Sequence, residues 1–199
     1  MKKQSLGNFV LVLHSHLPFV IHHGQWPHGM EWLFEAASET YIPLLNALSE
    51  LLAEGKSPRL TIGITPVLAE QLSHPIFIDE FEKFLDAEIE RAVQDIVSFN
   101  LDEKEKPMLP LAEFWLKFYR NIKSDFITKY EKDLIAAFRK LQDEGCLDII
   151  TCGATHGYFP LLGLDSSIQA QVKMAIETHQ KHFGKKPRGI WLPECAYRP

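Results

Sequence analysis

Asn8-Phe9-Val10-Leu11-Val12-Leu13-His14-Ser15-His16 carries a continuous apolar run, rich in β-branched and aromatic residues, that ends on two histidines. The run lacks the apolar/polar alternation of a half-solvated strand, so it predicts a strand over Asn8–Leu13 buried on both faces. Strands of that kind belong to parallel sheets covered by helices, and the rest of the chain agrees. Arg59–Thr65, closed by Pro66, predicts a second strand. Leu147–Cys152, entered through Glu144-Gly145, predicts a third, and Gly189–Leu192 begins a fourth after a Lys185–Arg188 turn.

Between these strands the periodicity turns helical. Glu31–Ala53 has apolar residues at helical spacing, split at Pro43 with Ser38 or Thr40 capping the second piece and Gly55 ending it. From Pro66 to about Leu141 the pattern is helical throughout. The prolines of Lys104–Pro110 break it, which predicts two or three helices and an insertion rather than a minimal crossover. Ser166–Phe183 predicts another amphipathic helix, capped by Ser166 or Ser167 and terminated by Gly184. Strands alternating with helices predict a parallel sheet with right-handed crossovers, in one α/β domain over residues 1–199. Four strands do not close a barrel, and a complete (β/α) barrel takes about 250 residues. The expectation is therefore a piece of a larger α/β protein rather than an open four-stranded domain.

Composition narrows the functional classes. With 199 residues, 46% of them apolar, the chain can bury a sizeable core. A net charge of −5 with scattered Lys and Arg offers no basic face, which argues against nucleic acid and anionic membranes as partners. Lys2 and Lys3 precede an apolar stretch, but Phe9–Leu13 is too short for a secretory signal. No apolar run approaches the roughly 20 residues needed to cross a bilayer. Cys146, Cys152 and Cys195 are odd in number and lack metal-type spacing, so they read as reduced, mostly buried thiols of a cytoplasmic protein.

Ionisable groups gather where strands end: His14 and His16 after the first, Thr155 and His156 after the third, Glu194 and Cys195 after the fourth. In parallel α/β proteins that edge of the sheet is where loops converge on a site. The strand period of two puts His14 and His16 on one face. Bland readings stand beside these. His156, between glycines, could simply hydrogen-bond its loop, and Glu194 could be a structural partner of Arg198. His22, His23, His28, His74, His179 and His182 read as loop or surface residues, and Trp115 reads as core. Trp26 and Trp32 flank the loop after the first strand, and exposed aromatic faces there suit the C–H faces of sugars.

Three segments together resemble glycoside hydrolase family 57. They are His14-Ser15-His16-Leu17-Pro18, Cys152-Gly153-Ala154-Thr155-His156-Gly157-Tyr158-Phe159-Pro160-Leu161-Leu162, and Trp191-Leu192-Pro193-Glu194-Cys195-Ala196-Tyr197-Arg198-Pro199. Within the family, the 1,4-α-glucan (glycogen) branching enzymes are the group this chain resembles, and the likeness covers essentially its whole length. The resemblance implies the first part of an incomplete, TIM-like (β/α)7 barrel. It implies Glu194 as nucleophile of a retaining transglycosylation that makes α-1,6 branches. It also implies His14, His16 and His156 as the subsite for the sugar under attack, and Trp32 as a site tryptophan; Trp26 and Arg198 join them as substrate-contacting candidates. The implied substrate is an α-glucan (glycogen, amylose or maltooligosaccharide), with no cofactor and no metal.

The family's acid/base is an aspartate on a later strand, beyond Pro199. Asp165 and Glu70 are stand-ins by strand-end position alone, so the polypeptide by itself is expected to have little or no branching activity. Other readings stay open: an amylase or 4-α-glucanotransferase of the same family, and a non-catalytic glucan-binding fragment. A metal-dependent hydrolase is a further one, with the H-x-H pair joined by His156 or Glu194 on zinc.

Overall fold

A computed structural model describes residues 7–198. Lys2, Lys3 and Pro199, which entered the readings above, lie outside the described residues. The chain divides into two compact units. The first comprises Met1–Pro18, Leu48–Ala69 and Phe138–Pro199, as far as these are described, and the second Phe19–Ala47 and Glu70–Ala137.

The first unit holds the sheet. Strands β1 (Val12–Ser15), β2 (Leu60–Ile64) and β3 (Leu147–Ile150) are parallel, in the order β1-β2-β3. Leu13 pairs with Ile62, His14 with Gly63, and Ile62 with Ile149. Leu60, Ile62 and Ile64 on one face are buried, and on the other face Gly63 is buried and Thr61 half-buried, as befits a central strand.

The first and fourth strands differ from expectation. The first strand begins at Val12 rather than Asn8 and includes His14. Phe9, Val10 and Leu11, ahead of β1, are exposed (90%, 70% and 50%). The fourth strand shrinks to one parallel bridge, Thr151 to Ile190. Trp191 N–H donates to Thr151 O (2.8 Å) and Thr151 N–H to Gly189 O (3.2 Å). Pro193, with no N–H, follows two residues later and no further pairing forms.

The predicted helix after β1 is not split by Pro43. Instead α1 (Glu31–Ala36) passes through a π-helical stretch, Ala37–Tyr41, into α2 (Ile42–Ala53). The wider turn accommodates the missing N–H and the ring of Pro43. Ser38 caps nothing; its hydroxyl bonds back to Phe34 O at 2.9 Å. Gly55 and Gly184 follow their helices with positive φ, as expected of C-terminal stops.

Four helices, more than the two or three expected, separate β2 from β3: α3 (Pro66–Leu72), α4 (Pro75–Leu101), α5 (Leu109–Ser124) and α6 (Leu134–Asp143). The additional breaks fall at His74-Pro75 and at residues 130–133. His74, read as a surface residue, caps α4 by accepting from Ile76 N–H at 3.2 Å. After β3, α7 (Asp165–Phe183) begins one residue before the serines predicted to cap it, and neither does so. His179 on α7 was expected at the surface but is buried, its two ring nitrogens against Lys185 O (2.8 Å) and Ile149 O (3.1 Å).

The second unit is organised around aromatic rings. Phe81 is fully buried, stacked on Phe77 at 5.2 Å and edge-on to Phe126 at 4.9 Å, with Phe34 at 5.9 Å. Helices α4 and α5 pack along each other. Trp115, expected in the core, is half-buried and stacks on Tyr119 at 5.5 Å. No helix among the described residues is long and apolar enough to cross a membrane.

Removing Phe81 strips that cluster of its centre. Phe81→Ala is expected to cost about 3–5 kcal/mol, read as a lower urea midpoint for the transition of this unit.

Candidate active site

The C-terminal ends of β1, β2 and β3, and the bridge segment beside them, each deliver polar groups to one edge of the sheet. His14 is the third residue of β1, with His16 just beyond its end. Thr65 follows β2 directly, Cys152 and His156 follow β3, and Glu194 follows Ile190 and Trp191. The sheet therefore brings together the four residues on which the sequence reading centred.

The imidazoles form a stack. His16 and His156 lie face to face, centroids 3.7 Å apart and 13° from parallel, and His14 stacks on His156 at 5.3 Å. His14 Nε2 and His156 Nε2 are 3.2 Å apart, so one donates and the other accepts, and the two rings carry opposite tautomers. The Glu194 carboxylate stands 3.8 Å from the other nitrogen of His156, Nδ1. A negative charge there favours the proton on Nδ1, which leaves His156 Nε2 to accept from His14 Nε2–H. Trp191 closes one side, 6.3 Å from His14.

Several supports were not visible in the sequence. Thr65 is buried and its Oγ1 meets His16 Nδ1 at 3.2 Å, while also accepting from Leu68 N–H (3.4 Å) at the start of α3. Gln171 on α7 ties down the His156 loop: its Oε1 accepts from Thr155 N–H and its Nε2 donates to Thr155 Oγ1, both at 2.8 Å. Gly63 lies opposite His14, and a Cβ there would come 3.0 Å from His14 Nδ1. At Gly153 a Cβ would come 2.8 Å from Phe159 and 3.3 Å from Pro193. A strand-pairing map would have exposed Gly63; no local signal distinguishes Thr65 or Gln171.

The backbone is unusual at the chemistry. His156 (φ 57°), Glu194 (φ 51°) and Cys195 (φ 55°) are all left-handed, a conformation that non-glycine residues adopt only where the surroundings hold them. It turns the Glu194 side chain outward, where it is 71% exposed. Among the described residues the group paired with that carboxylate is His156 rather than Arg198. Arg198 instead lines a cleft of about 490 Å³ with Tyr197, Phe159, Leu162 and Asp165.

Burial sets the protonation of the histidines. His16 is pushed down to about 4 by burial, then by the neighbouring His156 and His14. His14 is lowered by burial and by His156, with Glu194 opposing. His156 is lowered by burial against the same carboxylate. Burial also pushes the Cys152 thiol up to about 11. At neutral pH the site is three neutral rings beside one acidic side chain.

The remaining candidates belong to the second unit. Trp26 is 74% exposed, and Trp32 is half-buried with His28 edge-on at 4.9 Å. Glu70 is an exposed residue of α3. Among the described residues the group of possible metal ligands that comes together is His14, Cys152 and His156, not the H-x-H pair.

The model of the family described as "Glycosyl hydrolase family 57" matches residues 10–199. A 1,4-alpha-glucan branching enzyme of Thermococcus kodakarensis is 45% identical over 193 residues, which is 97% of this chain and 28% of that protein. The crystal structure of a GH57-type branching enzyme from Pyrococcus horikoshii superposes with a TM-score of 0.90 at 45% identity, over 96% of this chain and 35% of that one. The alpha-amylase AmyC of Thermotoga maritima superposes with a TM-score of 0.82 at 38% identity, over 94% and 35%. This chain thus spans about a third of the length of the relatives it matches.

Two measurements test the geometry. Gly153→Ala forces a methyl group against Phe159 and Pro193, and is expected to cost about 1–3 kcal/mol, read by urea unfolding. For the histidines the sign follows from the direction of the shifts. Their folded pKa values lie below the unfolded value near 6.5, so protons bind the unfolded chain more tightly. Their contribution to stability is intact above about 6.5 and is lost as pH falls toward the His16 value of about 4. The urea midpoint is expected to drop between pH 7 and pH 5, less so in His16→Asn. Imidazole Cε1–H resonances would show His16 titrating last.

Proposed function

We propose, for a chain that belongs to glycosyl hydrolase family 57, that it supplies the nucleophile and the sugar-holding subsite of a retaining α-glucan transglycosylase. The reaction proposed is branching: cleavage of an α-1,4 bond and transfer of the chain to a 6-hydroxyl. The observation that carries it is the Glu194 carboxylate, turned outward beside the His14/His16/His156 stack at the sheet edge. The branching enzymes among the relatives favour this reaction over hydrolysis, while the likeness to an amylase keeps hydrolysis as the second reading.

In the proposed mechanism Glu194 attacks the anomeric carbon from the face opposite the leaving oxygen, and a covalent glycosyl-enzyme forms. The second carboxyl of a retaining pair stands about 5–5.5 Å away and protonates the leaving oxygen. Residues 1–199 are proposed as the N-terminal portion of the catalytic domain, an incomplete (β/α)7 barrel with helices α3–α6 inserted between β2 and β3. The acid/base aspartate is proposed to lie on a later strand of the family's domain. His14, His16 and His156 are proposed to hydrogen-bond the hydroxyls of the sugar under attack, neutral donors and acceptors being suited to that task. Trp26, Trp32 and Arg198 are proposed as further glucan contacts.

An activated donor tests the nucleophile separately from the proposed acid. α-Glucosyl fluoride carries a leaving group that needs little protonation, so the 199-residue protein is expected to gain one glucosyl unit on Glu194 in intact and peptide mass spectra. Glu194→Gln should show no adduct. On amylose, without general acid help typically worth about 10²–10⁴ in rate, the same protein is expected to form no measurable branches. An adduct on another residue, or an equal one in Glu194→Gln, would remove Glu194 from the role.

A further inference from the structure

His14 and His156 present the same ring nitrogen to each other, Nε2 to Nε2 at 3.2 Å. Cys152 Sγ joins them in a set whose ligand atoms all lie within 4.8 Å of one another. Tetrahedral zinc, with Zn–N near 2.0–2.1 Å and Zn–S near 2.3 Å, spaces two nitrogens about 3.3 Å apart and a nitrogen and a sulfur about 3.6 Å apart. The nitrogen pair already has that spacing. The thiol, within 4.8 Å of both nitrogens, has at most about 1 Å to close.

The ligands sit on well-held backbone. His14 belongs to β1, Cys152 follows the bridging residue Thr151, and the His156 loop is pinned by Gln171. Behind His156, the Glu194 carboxylate lies 3.8 Å from Nδ1, beyond hydrogen-bond distance but on the side away from the ligating Nε2. His14 is exposed and His156 half-buried, while Cys152 is buried. His16 is outside that set, its Nδ1 meeting Thr65.

We infer that His14, His156 and Cys152 form a binding site for a thiophilic divalent transition-metal ion of the zinc class. Two imidazoles and a thiolate select such ions over Mg²⁺ and Ca²⁺, which take oxygen ligands. Binding exchanges the S–H bond of Cys152 for a sulfur–metal bond. The thiol proton leaves to solvent, His14 shifts its proton to Nδ1, and the ion keeps its oxidation state. Because binding releases the thiol proton, affinity climbs with pH. An ion there lies between the rings proposed to hold the sugar.

Cobalt(II) substitutes for zinc and reports its ligands in absorption. Chelator-treated 199-residue protein, titrated with Co²⁺ and no glucan, tests the site independently of any role for Glu194. The expected result is one ion per chain, strong visible bands of a four-coordinate ion and a near-ultraviolet sulfur-to-cobalt band, all displaced by Zn²⁺. Cys152→Ser should lose the sulfur band and bind Zn²⁺ at least about tenfold more weakly, a loss no smaller than that for groups behind a ligand. Cys195→Ser should keep the band. A weak octahedral spectrum, or a sulfur band that survives Cys152→Ser, overturns the inference. Should Cys152→Ser fail to fold, proton NMR of the wild-type cobalt form decides. Hyperfine-shifted signals from two imidazoles and one cysteine β-methylene support the site, and their absence overturns it.

Discussion

Residue 63 carries no side chain, and the His14 ring occupies the space beside it on the neighbouring strand. A Cβ at that position would come 3.0 Å from His14 Nδ1, so the parallel register that pairs His14 with Gly63 is also what lets the ring lie across β2. A slip of one residue would turn His14 to the opposite face of the sheet. Everything else at the site is referenced to that register. Thr65 reaches His16 because it directly follows β2, and Thr65 N–H continues the ladder onto Ser15 O at 3.2 Å. The loop that carries His156 leaves β3 at the same edge. Glu194 arrives there because the single bridge at Ile190 extends the parallel order by one step before Pro193 ends it.

That geometry forces an electrostatic outcome. Rings at 3.7 and 5.3 Å cannot share positive charge cheaply once partly removed from water. Burial lowers all three histidines, and in His16 the neighbouring imidazoles add to it. Glu194 pulls the other way on His14 and His156 without reversing the result. The left-handed backbone at His156, Glu194 and Cys195 belongs to the same arrangement. Each such residue costs of order 1–3 kcal/mol, which the sheet, Gln171 and the packing of Phe159 and Pro193 around Gly153 must offset.

How much of this was legible in the sequence depends on how local each signal is. Parallel strands, the helical stretch after Pro66 and the glycine stops at Gly55 and Gly184 follow from residues adjacent to the element itself. So do His14, His16, His156 and Glu194, which sit directly behind apolar runs. Thr65 and Gln171 were out of reach because their partners are 49 and 16 residues away, and only the folded register makes them neighbours. The reading of residues 8–11 as buried strand failed for the complementary reason: an apolar run states an affinity for burial, not what covers it. Pro43 was misjudged because a π-helical stretch can absorb a proline without ending the helix. His179 was misread because a polar residue on an amphipathic helix looks solvent-facing until two backbone carbonyls are found against its ring.

Three neutral imidazoles beside one carboxylate also bear on the proposed chemistry. A retaining displacement at an anomeric carbon passes through an oxocarbenium-like state, in which positive charge grows on the sugar. Protonated histidines at the distances seen here would oppose that charge and would pair with the Glu194 carboxylate, holding back its lone pair. Kept neutral by burial, they can orient hydroxyl groups without either penalty, and the only full charge next to the stack is the carboxylate proposed to attack. The same neutrality leaves a lone pair on His156 Nε2 and lets His14 free its own by moving its proton to Nδ1, as the proposed metal site requires. One physical cause, the crowding of rings behind Gly63 and Thr65, therefore underlies both the proposed fit to sugar and the proposed metal site.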